Sequence, residues 1–347
     1  MNSINLSALA ASMLSMLIFA TVASGAVPTP PPSDVTGLLR VAAPPAEIDA
    51  RLRRYAPAEI RLVKRRLPDE LLPMLPHLRR ASDAIDRIYW KQMSPDGLET
   101  MVRLRASTAP GAAPLARLME IHYGPWDRHD DDAPFLGRGR RPPGANLYPS
   151  DTSARELDDF ISRKPLVAAE FWSPFSRIER NGSGFAAVPF RKAYATELGI
   201  AAQALRSAAD AYRCTSKSPS DCNCSGMATY LRARAADLLN DVYRKSELLW
   251  MDTGDCPLDI AIGPYEFYDD RLLGLKASYE SITYSRDASA SAAFAALTAL
   301  VPTLADGLPV APHVRARFDA VRPSPVSIAD LLYTSGDARA GNQIRAF

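Results

Sequence analysis

The sequence predicts an α+β chain that is predominantly helical, and three observations carry that prediction. Apolar residues recur at helical spacing over several long stretches, a few short apolar or alternating runs are bounded by Gly and Pro, and 347 residues with 47% hydrophobic content supply core for about two domains. Charge is nearly balanced. With 41 Lys and Arg against 39 Asp and Glu, a formal +2, no strong field argues for nucleic acid or for an acidic membrane surface. The local basic runs, Arg51, Arg53, Arg54, Arg61, Lys64, Arg65 and Arg66, and then Arg138, Arg140 and Arg141, lack interleaved aromatics. They read as solvated helix faces and loops rather than a nucleic-acid surface.

Residues 6 to 22 are uncharged and apolar, and the small residues Ala23, Ser24, Gly25 and Ala26 follow. That pattern reads as a secretory signal over residues 1–26, cleaved near Ala23 or Ala26, with an uncleaved anchor as the alternative. The expected location is the bacterial periplasm or the extracellular space, with no stable membrane association once the signal is removed. Pro28, Pro30, Pro31, Pro32, Pro44 and Pro45 then make residues 27–45 a stiff, extended linker.

Leu71, Leu75, Leu78, Ile85 and Ile88 draw one apolar stripe along a helix ending near Trp90, with Arg79, Asp83, Asp86 and Arg87 off the stripe and facing water. His77, alone beside Pro76, reads as a surface residue, because a zinc site needs several converging ligands. From Arg103 to Pro149 helical periodicity gives way to Gly, Pro and Asp. Met119 to Tyr123 alternates as a strand would, with Gly124-Pro125-Trp126-Asp127 as the turn beyond it. His122, Asp127, His129, Asp130, Asp131 and Asp132 are the local metal candidates, but adjacent acids in a loop usually face water and no spacing here fixes a geometry. The Gly-rich run from Gly137 to Gly144 has the wrong spacing for a nucleotide loop, and Gly182-Ser183-Gly184 lacks the nucleophile-elbow context.

Residues 188 to 250 read as a helical hairpin. Tyr194, Leu198, Leu205 and Tyr212 line one arm, and Met227, Leu231, Leu238, Val242 and Leu249 the other. In an exported protein Cys214 could close the intervening loop with Cys222 or Cys224, and Cys256 either pairs with the leftover thiol or stays free. The Ala-rich run from Ala288 to Ala305 is a further amphipathic helix, kinked or ended by Pro302. Val326 to Tyr333 is a short strand or helix, and Ser335 to Gly341 a turn.

Chemistry is most legible from Asp259 to Glu280. A short apolar strand, Ile260 to Ile262, meets the breaker pair Gly263-Pro264, which presents Tyr265, Glu266, Phe267, Tyr268, Asp269 and Asp270 in succession. A carboxylate set between rings can hold a cationic amine where screening is reduced. Equally, the aromatics could fill core and the acids cap the next element.

Gly263-Pro264-Tyr265-Glu266-Phe267-Tyr268, followed by Lys276 and Tyr279-Glu280, resembles the Gly-x-x-Glu-x-Tyr segment of the dipeptidyl-peptidase III family of zinc metallopeptidases, in its bacterial branch. Tyr89-Trp90-Lys91-Gln92, Tyr123 to Arg128, Pro143 to Pro149, Trp250-Met251-Asp252 and Ser335 to Gly341 resemble further blocks of that branch in the same order. The resemblance implies a two-lobed fold with a small β-barrel-like core, of which residues 46–347 would supply the zinc-free lobe and its bracing helices.

It also implies that Glu266 and Tyr268 bind the amino end of a short peptide, with Glu280 a nearby acid, and that the family releases dipeptides from peptide N-termini with Zn²⁺. No His-Glu pair occurs in the sequence, so neither catalytic residues nor zinc ligands are assigned. The family's His-Glu-x-x-Gly-His helix is expected beyond the point matching Phe347. The chain as given is therefore expected to be a truncated, inactive member that self-associates through exposed apolar surface. The alternative is a non-catalytic exported peptide-binding protein. A third reading is an unrelated enzyme using acids such as Asp127 or Asp269.

Overall fold

The computed structural model describes residues 34–56, 67–213, 224–254, 256–298, 300–314 and 326–340. The expected signal segment, Cys214, Cys222 and the basic residues Arg61 to Arg66 lie outside them. Two helices open the described chain, α1 (Thr36–Val41) and α2 (Pro45–Leu52). Part of the expected extended linker is thus helical. Val35 and Ile48 are buried in a core, and Ala43 N–H donates to Phe135 O, so these residues are packed rather than spanning solvent.

A 3₁₀ turn (Asp69–Met74) leads into α3 (Leu75–Met93), which has Pro76 in its first turn, where a missing N–H costs nothing. Its stripe includes Leu78, Ala81, Ile85, Ile88 and Tyr89, all buried, and each large apolar side chain so buried stabilises by about 1.5 to 3 kcal/mol. Asp86 does not simply face water. It accepts Gly336 N–H at 3.0 Å and the Tyr123 hydroxyl, because the end of a later helix and the last strand close over that side of α3.

Next come α4 (Gly97–Ala106) and α5 (Ala112–His122). The strand expected at Met119 to Tyr123 is therefore the end of a helix. Ala112, Leu115, Ala116, Met119 and His122 are buried at spacings of three and four, and that longer period overrides the short alternation. Gly111 (φ 88°) starts α5 and Tyr123 (φ 54°) ends it, both left-handed. The expected turn beyond it contains β1 (Trp126–Asp127), antiparallel to β2 (Ala133–Pro134).

After α6 (Ala154–Arg163) and α7 (Ala168–Trp172), β3 (Ser176–Asn181) and β4 (Gly184–Pro189) form a hairpin that turns at Gly182. Next are α8 (Phe190–Ala193), α9 (Ala195–Ala211), α10 (Ser225–Asp237) and α11 (Arg244–Met251). α9 and α10 pack on each other as the expected hairpin does. The second arm, however, stops at Asp237. The chain reverses through the left-handed Asp241, Asp237 caps Ser246 N–H, and Val242 is left 62% exposed.

β5 (Leu258–Glu266), β6 (Ser278–Arg286) and β7 (Ala329–Gly336) make an antiparallel sheet in the order β5-β6-β7, with α12 (Ala288–Thr298) and α13 (Val301–Asp306) between the last two strands. Gly263-Pro264 does not break the strand. β5 is an edge, where a proline's missing N–H is tolerated, and it runs on to Glu266. Pro302 sits in the first turn of α13, so it separates two helices instead of kinking one. Leu297, Leu300, Val301 and Leu304 are exposed rather than forming a core stripe.

No sheet among the described residues closes into the expected barrel. The largest has three strands, too few to curl shut, and one of its faces is occupied by α3, where Ser82 and Ser281 hydroxyls meet at 2.8 Å. The fold is α+β with helices dominant. Two buried clusters hold it, one around α3, α9, α10 and the sheet, the other around α2, α4 and α5, and Tyr89 belongs to both. A disulfide joins Cys224, at the start of α10, to Cys256, just before β5. The thiol that Cys256 takes is thus one from the loop.

Candidate functional site

β5 is buried from Leu258 to Pro264 and emerges at its end. Glu266 is half-buried, while Phe267 and Tyr268 are 41% and 58% exposed. The next two residues turn back inside, Asp269 and Asp270 being only 2% exposed each. An exposed aromatic pair is thus mounted between a strand and two buried carboxylates.

Each carboxylate does separate work. Asp270 Oδ1 accepts the N–H groups of Leu272 and Leu273 at 3.1 and 3.0 Å. Its Oδ2 accepts those of Leu275 and Lys276 at 2.8 and 3.0 Å and the Tyr148 hydroxyl at 2.8 Å. One side chain therefore supplies acceptors to a whole loop whose backbone has no ladder. Lys276 closes the loop, donating to Phe171 O, Ser173 O and Ser176 Oγ at 2.6 to 2.8 Å. Burial pulls its ammonium down to about 8, against the opposing pull of Asp270.

Asp269 is clamped by charge. Arg128 Nη2 and Arg141 Nη2 reach its Oδ1 at 2.9 and 2.7 Å, and the Tyr89 hydroxyl donates to Oδ2 at 2.7 Å. Burial alone would raise this carboxyl, but the two guanidiniums outweigh it and hold it below the ordinary range. Burial pushes the Tyr89 hydroxyl well above its usual value, so it keeps its proton and remains a donor. Arg141, expected in a solvated loop, is buried because it serves this anion.

The sheet register places the two glutamates. Gly263 pairs with Glu280, Pro264 with Tyr279, and Glu266 with Ser278, so Tyr265 is the extra residue of a bulge. Directly opposed residues of an antiparallel pair share a face, and so do residues two apart on one strand. Glu266 therefore shares the face of Ser278, which is also the face of Glu280. Without the bulge, strict alternation from Gly263 would send Glu266 to the opposite side.

Glu280, in the central strand and fully buried, stands between two glycines, Gly263 on β5 and Gly336 on β7. A Cβ at Gly263 would lie 3.0 Å from Nη1 of Arg234. That buried guanidinium is paired with Glu247 at 2.6 Å and has the rings of Tyr230, Tyr243 and Tyr265 5.4 to 5.7 Å away. A Cβ at Gly336, where φ is 65°, would lie 2.3 Å from Tyr279 O. The sheet end thus carries two carboxylates on one face, in a frame that has no room for a side chain at Gly336 and little at Gly263.

The other acid cluster is built differently. Asp127 Oδ2 receives Arg51 at 2.6 Å and Arg54 at 3.0 Å, and Oδ1 receives His129 N–H at 3.0 Å. Arg51 is consequently drawn out of the solvated role expected of it. Burial opposes the charge of Asp127, but the His129 N–H and Arg51 outweigh it and keep the carboxyl below its usual range. His122 Nδ1 accepts Arg128 N–H at 3.2 Å, so Nε2 carries the proton and faces the Tyr55 hydroxyl at 3.1 Å. Neither Asp127 nor Asp269 has the poised acid and base pairing that an unrelated carboxylate mechanism needs, since arginines neutralise both. Among the described residues no group of three or more His, Cys, Asp or Glu side chains could hold a metal ion. They do not fit a zinc centre.

Tyr89, Arg128, Arg141, Asp270 and Asp337 have no site role in the sequence reading. A signal was nevertheless present. Four of the blocks that resemble the peptidase family converge on residues 269–280: Tyr89 and Gln92 from one, Arg128 from another, Tyr148 from a third, and Gly336, paired with Glu280, from the last. Gln92 acts there as a strand would, donating to Ala277 O at 3.0 Å and accepting Tyr279 N–H at 2.9 Å.

No family model matches the chain. Solved structures do resemble it. That of DPP III from Caldithrix abyssi superposes with a TM-score of 0.77 at 30% identity, covering 85% of the chain and 54% of that protein. Dipeptidyl-peptidase III from Corallococcus sp. strain EGB gives 0.74 at 26% identity, over 87% of the chain and 55% of that protein. Among curated proteins, Nudix hydrolase 3 of Arabidopsis thaliana is 24% identical over 348 aligned positions, 84% of the chain and 43% of that protein. The chain spans about half the length of these relatives. Agreement in backbone this close, kept together with recognisable sequence through most of the chain, makes it a member of the dipeptidyl-peptidase III family.

Proposed function

We propose that this chain binds the free amino end of short peptides at the end of the β5-β6-β7 sheet. Glu266 is the principal anion, Glu280 adds negative potential from the same face, and Tyr268 offers an exposed ring and hydroxyl to the first substrate residue. The observation that carries this reading is the bulge at Tyr265, which brings both glutamates to one face. A peptide α-ammonium has a pKa of about 7.7 to 8.0 and is largely charged at neutral pH. Held by a half-buried carboxylate, it makes a charge-assisted hydrogen bond worth about 1.5 to 3 kcal/mol.

Release of dipeptides, the activity that the names of the bacterial relatives describe, is the function we propose at the level of the whole protein. Our assignment to this chain is the recognition step. An exported setting is part of the proposal, supported by the apolar run over residues 6–22 and by the Cys224–Cys256 disulfide.

Calorimetric titration with tetra-alanine and N-acetyl-tetra-alanine tests the reading. Acetylation of the peptide and Glu266→Gln in the protein should each weaken binding by about tenfold or more. Equal affinity for both peptides in the unaltered chain would refute it.

A further inference from the structure

We infer that Tyr89 and Asp269 are positioning residues for the amine site, setting the distance between Glu266 and Glu280 where the sheet's own hydrogen bonds end. This rests on the reading of Glu266 as the amine-binding group.

The ladder of the sheet runs out at one end, where Glu266 pairs with Ser278 and Gly336 with Glu280. Among the described residues β5 and β7 each pair with β6 and not with one another, and that pairing ends here. A single hydroxyl takes over. Tyr89 OH reaches Asp269 Oδ2 at 2.7 Å and Asp337 Oδ1 at 3.0 Å. Asp269 is the residue after Tyr268, and Asp337 the residue after Gly336. The hydroxyl therefore ties the chain leaving one outer strand to the chain leaving the other, with the Glu280 strand between them.

Further contacts make the tie stiff. Arg128 donates through Nη1 to the Tyr89 oxygen and through Nη2 to Asp269, and that Nη2 lies 3.8 Å from Asp337 Oδ1. Arg141 holds both the carboxylate and, at 3.4 Å, the main-chain carbonyl of Asp269. Side chain and backbone are thus clamped one residue beyond Tyr268. Tyr89 itself is fully buried on α3, packed edge-on against Tyr123 with ring centroids 4.8 Å apart, so its hydroxyl cannot follow a moving loop. Because it has one proton and two carboxylate acceptors, it reports any change in their spacing as a lost or weakened bond.

The roles are distinct from binding. Neither residue needs to touch the peptide, since Asp269 is buried and Tyr89 lies behind it. Their effect on the ligand passes through the placement of Glu266.

Tyr89→Phe removes only the hydroxyl, and Asp269→Asn removes only the charge. The readout is the ratio of affinities for tetra-alanine and N-acetyl-tetra-alanine, measured by calorimetry on protein whose fold is checked by circular dichroism. Both variants should reduce that ratio by about tenfold, chiefly by weakening the free-amine peptide. A merely structural role would lower the melting temperature and leave the ratio untouched, and that result would overturn the inference. Should Asp269→Asn fail to fold, Tyr89→Phe alone decides the matter. If the unaltered chain shows no preference for the free amine, the binding assignment fails. If it shows the preference, Glu266→Gln abolishes it, and Tyr89→Phe retains it, only the positioning inference fails.

Discussion

Acid should destabilise this protein through His122 as soon as pH falls below 6.5. The imidazole is 3% exposed and faces Tyr55, Asp127, His129, Phe135, Arg54 and Arg128. Burial lowers it to about 4 from 6.5. Asp127 pulls the other way but loses, and His129, Arg128 and Arg54 add to the lowering. As pH falls through 6.5 the unfolded chain takes up a proton that the folded chain refuses, so the unfolded state gains. Stability present above 6.5 is thus lost progressively and levels off below about 4, where both states are protonated. A difference of 2.5 pH units corresponds to about 3 kcal/mol at the limit, and about 2 kcal/mol is already lost by pH 5.

His122→Asn keeps an acceptor near Arg128 N–H and removes the titration. Urea unfolding of both proteins at half-unit steps from pH 7 to 4.5 gives the comparison. The unaltered chain should lose about 2 kcal/mol more than the variant between pH 7 and 5. Parallel stability curves over that interval would refute the reasoning. The depressed carboxyls of Asp127 and Asp269 act in a separate window, since their contributions are lost only as pH falls below 3.8.

Two further outcomes follow from covalent and backbone constraints. The Cys224–Cys256 bridge spans 32 residues, which on loop entropy stabilises by about 3 to 4 kcal/mol; the double serine variant should lose that much unfolding free energy in urea titration, and an unchanged midpoint would contradict it. Gly336→Ala places a Cβ 2.3 Å from Tyr279 O at a φ of 65°, so it should cost about 3 kcal/mol or more; a melting temperature equal to that of the unaltered chain would show the glycine is not required.

The parts of the fold legible in the sequence are those whose burial pattern has one period. The helical period of α3 and the α9–α10 pair stand out because one face of each is apolar and the rest is polar or alanine. α5 was concealed because its buried set ends in His122 and is interrupted by Pro114, which its first turn tolerates. The strand Ile260 to Ile262 was legible, but the continuation of β5 to Glu266 hid behind Gly263-Pro264, normally a breaker, because an edge strand forgives both residues. The barrel expected from family likeness could not be judged from local pattern at all, since sheet closure depends on pairing between distant strands.

At the site, Glu266 and Tyr268 could be named from the resemblance, but the work of Asp269 and Asp270 could not. Their partners Tyr89, Arg128, Arg141 and Tyr148 lie more than 100 positions away, and only tertiary structure brings a tyrosine hydroxyl to a carboxylate over that separation.

The bulge at Tyr265 makes the site sensitive to counting rather than to composition. Adding one residue between Gly263 and Glu266 would leave a strand of similar polarity and propensity, yet with the same single bulge it would move Glu266 one register step on, to the opposite face from Glu280. Substitutions here can drift while the parity of this short interval stays fixed. Length variation among related proteins should therefore avoid the four positions from Gly263 to Glu266 and gather in the 270–276 loop, where Asp270 can gather a different set of backbone donors without reversing any side chain.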